Sequence, residues 1–161
     1  MIQERIVILL SGIPATRKST FARYLAREHD FAHYDLECYP KGWPHPELKE
    51  AWDASRRTFI AQLCQWHNRV TLDWGFPVHC VSWVKELQDC GVRLIWFDGD
   101  IDRARQEFVQ RGGIDTARFD EQVAAIKTAG YPASLDCFIV RVLAASGVFL
   151  DPSEIECSIF V

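Results

Sequence analysis

Hydrophobic residues along this chain recur in two rhythms, and their alternation predicts the architecture. Ile6, Val7, Ile8, Leu9 and Leu10 form an unbroken apolar run, the pattern of a strand buried on both faces of a parallel sheet. Ser11, Gly12 and Pro14 break that run, and from Lys18 to about His29 the positions Phe21, Ala22 and Leu25 recur at helical spacing. A short strand around Phe31 to Tyr34 delivers Asp35. Pro40, Pro44 and Pro46 then make Tyr39 to Pro46 a loop, because proline removes backbone donors and fixes φ. Glu47 to Asn68 is expected to be one long helix. Trp52, Phe59, Leu63 and Trp66 are its apolar stripe, and Arg56 and Arg57 are expected on its solvated face.

The same alternation continues to the end. Arg69 to Leu72 reads as the third strand, closed by Asp73, and Trp74-Gly75-Phe76-Pro77 turns the chain away. A helix over about Val78 to Asp89 precedes the fourth strand, Val92 to Phe97. Asp100 is a candidate N-cap for a helix over Asp102 to Gln110, which ends at Arg111-Gly112-Gly113. Ile114 to Ala129 is a further helix, stopped by Gly130-Tyr131-Pro132, and Cys137 to Leu143 is the fifth strand. Asp151-Pro152-Ser153-Glu154 places an N-cap, a proline at the first helical position and an acid at N3, so the last helix starts there. Strands alternating with helices predict an α/β three-layer sandwich with a parallel sheet.

Composition narrows the class. A length of 161 residues, with 48% hydrophobic and 25% charged residues, fits a single globular domain with a substantial core. No apolar run approaches the ~20 residues of a membrane helix, and no signal peptide is visible ahead of the first strand, which leads to the expectation of a cytoplasmic protein. The net charge of −4 argues against a large nucleic-acid surface but leaves room for a local phosphate pocket. The six cysteines contain no C-x-x-C pair and read as reduced thiols rather than metal ligands.

The chemistry is concentrated in the first strand–turn–helix. Gly12, Lys18 and Ser19 fall in register with the pattern G-x-x-x-x-G-K-[ST], with Arg17 at the second glycine position. In such a loop consecutive amides and a helix N-terminus point at phosphates. Gly12, Ile13, Pro14, Ala15, Thr16, Arg17, Lys18, Ser19 and Thr20 therefore form the candidate nucleotide-binding set. Lys18 would reach the β- and γ-phosphates and the Ser19 hydroxyl would ligate Mg²⁺. The Arg17 side chain either crowds the nucleotide or lies outside the cradle and adds a positive charge.

SGIPATRKST followed by a helix resembles the SG-x-P-A-S-GKST loop of small P-loop kinases in the AAA_33/zeta-toxin-like group. Val70-Thr71-Leu72-Asp73-Trp74-Gly75-Phe76 resembles the V-x-L-D-x-G-F stretch that ends their third strand. The resemblance implies a P-loop NTPase, nucleoside-kinase-like fold with strand order 2-3-1-4-5. It further implies ATP and Mg²⁺ as cofactors and transfer of the γ-phosphoryl group to a hydroxyl of a small-molecule acceptor. Asp35, just after the second strand, would then be the general base, with Glu37 a lesser candidate; either could instead cap a turn. Asp73 would join Ser19 at Mg²⁺, through water, or orient the acceptor. Residues about 100–130 would correspond to a lid, with Arg111 closing over the transferring group beside Arg103 and Arg105. The alternative for these arginines is surface pairing with Asp102 and Glu107. Adenine contacts would come from about Ala144 to Gly147. His79, Cys80 and Trp83 stand where the group often carries arginines, so acceptor identity does not carry over. Two other functions fit the same residues: a nucleotide-binding ATPase or regulator without an acceptor, and a pseudokinase whose ATP binding is impaired by Arg17.

Overall fold

The computed structural model describes residues 4–37 and 43–160. Five strands, β1 (Ile6–Gly12), β2 (Ala32–Asp35), β3 (Arg69–Asp73), β4 (Arg93–Gly99) and β5 (Phe138–Leu143), form one parallel sheet in the order β2-β3-β1-β4-β5. That is the order the resemblance implied. The helices are α1 (Lys18–His29), α2 (Pro46–Ala54), α3 (Arg56–Trp66), α4 (Val81–Asp89), α5 (Ile101–Gln110), α6 (Thr116–Ala129) and α7 (Pro152–Ile159); a 3-10 turn, Val78–Cys80, leads into α4.

β1 is the central strand, and its apolar run is continuous because both of its faces are covered. Val7 and Leu9 pack with residues of α2, α3 and α4, whereas Ile8 and Leu10 pack with α1, α6 and α7. Two apolar layers on opposite faces of one sheet make the three-layer sandwich. In a parallel sheet the carboxyl ends of the strands share one edge, and ligands bind there where the strand order reverses. The pairs Leu10↔Asp73, Asp35↔Asp73 and Gly12↔Phe97 bring the β1 turn, both acids and the end of β4 to that edge.

The single helix expected over Glu47 to Asn68 is two. Ser55 is extended (φ −174°, ψ 162°), and its hydroxyl oxygen accepts the Thr58 N–H at 3.0 Å as the N-cap of α3. A straight helix would carry Leu48 and Leu63 roughly 22 Å apart along its axis. The break lets α2 bury Leu48 and Ala51 while α3 buries Phe59, Ile60 and Leu63 in the same layer. Arg56 also departs from expectation, for it is buried rather than solvated. Its guanidinium lies 4.1 Å from the Trp52 ring centroid and 5.0 Å from that of Trp83, and it donates to the Trp52 carbonyl. Indole faces attract a guanidinium and shield it from water. Arg57 is exposed, as expected.

Smaller differences follow from capping. α6 begins at Thr116 rather than Ile114 because the Asp115 carboxylate accepts the Arg118 N–H at 3.1 Å. Asp100 caps α5 through the Arg103 N–H at 3.0 Å, and Glu154 accepts the Asp151 N–H at 2.8 Å at the start of α7. Pro46, expected in the loop, is the first residue of α2; residues 39–42 of that loop lie outside the described residues.

Candidate functional site

The turn after β1 needs glycine at its first position. Gly12 has φ +133°, and a Cβ there would fall 2.2 Å from the Phe97 carbonyl oxygen of β4. The close approach lets the Ile13 N–H donate to that oxygen at 3.0 Å, tying the turn to the sheet. The loop then closes on the Ile13 carbonyl, which accepts the Thr16 hydroxyl at 2.7 Å and the Lys18 ammonium at 3.1 Å. Pro14 is half-buried, and Ala15 and Thr16 are buried. Ala15 (φ 61°) and Arg17 (φ 65°) are both left-handed. α1 starts at Lys18, so the amides of Lys18, Ser19 and Thr20 have no carbonyl one turn earlier within the helix.

Arg17 keeps the backbone conformation that a glycine would supply at little cost. Its side chain takes the outward course of the two open to it. The guanidinium lies 3.6 Å from the centroid of the Phe149 ring, beyond β5, and pairs with Glu107 of α5 at 3.2 Å.

At the carboxyl edge, α1 meets β2 and β3. The Ser19 hydroxyl donates to Asp73 Oδ2 at 2.5 Å, and His33 Nε2 stands 3.4 Å from the same oxygen, at ion-pair range but without a directed hydrogen bond. Asp73 is buried. Burial pushes its carboxyl up, yet the contacts from His33 and Ser19 and the charge of Lys18 outweigh this and hold it below the usual carboxylate value. Burial of the ammonium lowers Lys18 below the usual lysine range; Glu37 and Asp73 pull it back up and Arg111 pushes it down. These couplings gather Lys18, Glu37, Asp73 and Arg111 into one electrostatic unit.

Asp35 stands beside Asp73 across the β2–β3 ladder, and its Oδ1 accepts the Glu37 N–H at 3.0 Å. Glu37 in turn accepts the Gly75 N–H at 2.8 Å, joining the chain after β2 to the chain after β3. A Cβ on Gly75 would lie 2.6 Å from that carboxylate oxygen, so the bond needs glycine there unless Glu37 moves. His33 was not singled out in the sequence, although a signal existed: strand alternation puts it on the same face as Asp35, opposite Ala32 and Tyr34.

The arginines of residues 100–130 divide. Arg105 makes a two-point pair with Asp120, at 2.9 and 3.2 Å, and Arg103 donates to the Ala145 carbonyl at 2.8 Å. The surface partners therefore differ from Asp102 and Glu107, because α6 supplies Asp120 and Arg17 takes Glu107. Arg111 is exposed at the end of α5, before Gly112 (φ +88°), and has no carboxylate partner among the described residues. Arg103 also holds the 144–147 turn in place. His79 is exposed, and Trp83 packs edge-on to Trp52.

Among the described residues no group of three or more His, Cys, Asp or Glu side chains could hold a metal ion. Mg²⁺ in a phosphate site needs only one or two protein oxygens beside substrate phosphates and water. The Ser19 hydroxyl and the Asp73 carboxylate, already in contact, fit that requirement. Two clefts of about 250 and 310 Å³ open beside Arg93 and Phe138, and beside Ala32 and Arg69. These are the first residues of their strands, so both clefts lie at the amino edge, opposite the site. No helix among the described residues is long and apolar enough to cross a membrane.

No protein-family model matches the chain, and no curated protein matches it. Solved structures do. A gluconokinase from Sinorhizobium meliloti 1021 aligns with TM-score 0.57 at 11% identity, covering 97% of this chain and 90% of its own. A shikimate kinase from Bacteroides thetaiotaomicron aligns with TM-score 0.54 at 17% identity, covering 95% and 93%. A sugar kinase from Janibacter sp. HTCC2649 aligns with TM-score 0.59 at 12% identity, covering 94% and 90%. At these identities the likeness concerns the fold alone: a five-stranded parallel sheet between two helical layers.

Proposed function

We propose that the protein is a P-loop kinase that transfers the γ-phosphoryl group of ATP to a hydroxyl of a small acceptor. The observation that carries this reading is the conformation of the Gly12–Ser19 loop. Although Arg17 replaces a glycine, the backbone holds the left-handed conformation and the guanidinium leaves the cradle for Phe149 and Glu107. The first-turn amides of α1 and the Lys18 ammonium remain available to phosphate oxygens. That favours a working loop over the pseudokinase alternative.

Ser19 and Asp73 would hold Mg²⁺, which when bound offsets phosphate charge. Lys18 exchanges the Ile13 carbonyl for phosphate oxygens, a stronger charge-assisted bond. Arg111, exposed beside a glycine and coupled to Lys18, adds positive charge where the phosphoryl group passes. Asp35 accepts the proton of the attacking hydroxyl, and Glu37 fixes the edge of the acceptor side through Gly75. The structural neighbours are named for gluconate, shikimate and sugar substrates, which supports a hydroxylated small molecule as acceptor.

The test is calorimetric binding of Mg-ATP to the wild type and to Arg17→Gly, followed by ADP release with a panel of sugars, sugar acids and cyclic polyols. Binding by both proteins, with acceptor-dependent ADP release, is the expected result. Binding by the glycine form alone would mean that Arg17 disables the loop. Turnover that no hydroxyl stimulates would support an ATPase instead.

A further inference from the structure

The Asp73 carboxylate is held differently from what the proposed metal site alone requires. One oxygen, Oδ2, faces two potential donors: the Ser19 hydroxyl at 2.5 Å and His33 Nε2 at 3.4 Å. The first contact is complete. In the second, Nε2 is buried and makes no hydrogen bond. Buried polar atoms of this kind are rare in folded proteins and call for a reason. The neighbouring Thr71, opposite His33 in the β2–β3 ladder, also has a buried hydroxyl without a partner. The polar strip under α1 is thus incompletely paired at two adjacent positions.

A hydroxyl bound to a metal presents its oxygen lone pair to the ion. The Ser19 hydroxyl would therefore keep its proton for Asp73 Oδ2 while its lone pair faced the ion, so Ser19 holds the carboxylate from one side only. We infer that His33 is a positioning residue for Asp73, a second donor whose Nε2–H closes on Oδ2 beside Ser19 and fixes the carboxylate for the metal. The movement needed is about half an ångström, from 3.4 Å to an ordinary hydrogen-bond length. β2 sets the ring in place: His33 lies two residues before Asp35, on the face packed against α1. This role requires the Nε2–H tautomer. Outer-shell donors of this kind orient a ligating carboxylate and keep it from rotating away from the ion.

The inference rests on the phosphotransferase reading and is tested in two ways. Long-range ¹H–¹⁵N correlation spectra of the metal-free, nucleotide-free wild type report which nitrogen of His33 carries the proton, and Nε2–H is expected. Mn²⁺ affinity in the presence of ADP, followed by electron paramagnetic resonance, is then compared among wild type, His33→Gln and His33→Phe. The glutamine amide keeps a donor at similar reach and should bind Mn²⁺ within about threefold of wild type. The phenylalanine variant should bind it roughly 10- to 100-fold more weakly. An Nδ1–H tautomer, or equal Mn²⁺ affinity in wild type and His33→Phe, overturns the role. The tautomer measurement stands even if His33→Phe fails to fold. A wild type that binds Mn-ADP but phosphorylates no acceptor refutes the kinase reading alone, whereas one that binds no Mn-ADP refutes both.

Discussion

Replacing Arg17 by alanine and by glycine should separate the backbone cost of its conformation from the worth of its side chain. The side chain makes two contacts, the stack on Phe149 at 3.6 Å and the Glu107 pair at 3.2 Å, with side chains 47% and 25% exposed for Arg17 and Glu107. An exposed cation–π contact contributes ~0.5–1 kcal/mol, and a surface pair ~0–1 kcal/mol. Arg17→Ala loses both and keeps a Cβ at φ 65°, so it should destabilise by ~1–1.5 kcal/mol. Arg17→Gly loses the same contacts but escapes a left-handed cost of ~1–2 kcal/mol. Against that relief stands the larger backbone freedom of glycine in the unfolded chain, ~0.4–1 kcal/mol. The glycine variant should therefore be the more stable of the two by ~0.5–1 kcal/mol, the reverse of the usual order at a helix. Urea unfolding midpoints with a shared slope measure the difference, and in a heat melt it amounts to roughly 1–4 °C. An alanine variant as stable as the glycine variant would show that residue 17 is not held in the left-handed region. Wild-type stability in both would show that Phe149 and Glu107 contribute nothing.

Three further outcomes follow from single contacts. Gly12→Ala places a Cβ 2.2 Å from the Phe97 carbonyl and should cost more than ~3 kcal/mol in chemical denaturation, since both the turn and β4 would have to move. The hydrogen bond from the Tyr24 hydroxyl to Glu156, at 2.7 Å, pushes that phenol up to about 12. The protonated form is favoured in the fold, so the contact's contribution is complete below pH ~10 and lost as pH rises toward 12; in ultraviolet phenolate titration Glu156→Gln should bring one phenol back toward its ordinary value, while Tyr34 and Tyr131, pushed up by burial, stay late. Arg56→Ala removes the guanidinium between Trp52 and Trp83 and a donor to the Trp52 carbonyl. It should destabilise by roughly 2–3 kcal/mol and alter tryptophan fluorescence, whereas Arg57→Ala, on the exposed side, should stay within ~0.5 kcal/mol.

What the residues announce on their own is whatever rests on local spacing. The continuous run Ile6 to Leu10 marks a strand buried on both faces because period-2 alternation disappears when both faces are covered. The caps at Asp100 and Asp151 are legible because a short polar side chain beside the first turn has few other uses. Gly12, Lys18 and Ser19 stand out as candidates because their spacing matches the one a phosphate loop requires. The break at Ser55 is not, since the apolar stripe runs across it in phase; only the need for α2 and α3 to cover one sheet face selects the N-cap over continued helix.

The tertiary structure decides the partners. Arg17 could have filled the loop or left it, and Phe149 and Glu107, more than 80 residues away in sequence, determine that it leaves. Arg56 is buried because Trp83 of α4 closes over it. Asp73 meets both His33 and Ser19 only because β2 pairs with β3 while α1 crosses above them. Spacing within a strand or helix is enforced by backbone geometry a few residues at a time. The charge and hydrogen-bond state of a side chain is set instead by whatever packs against it, and that depends on how distant elements dock.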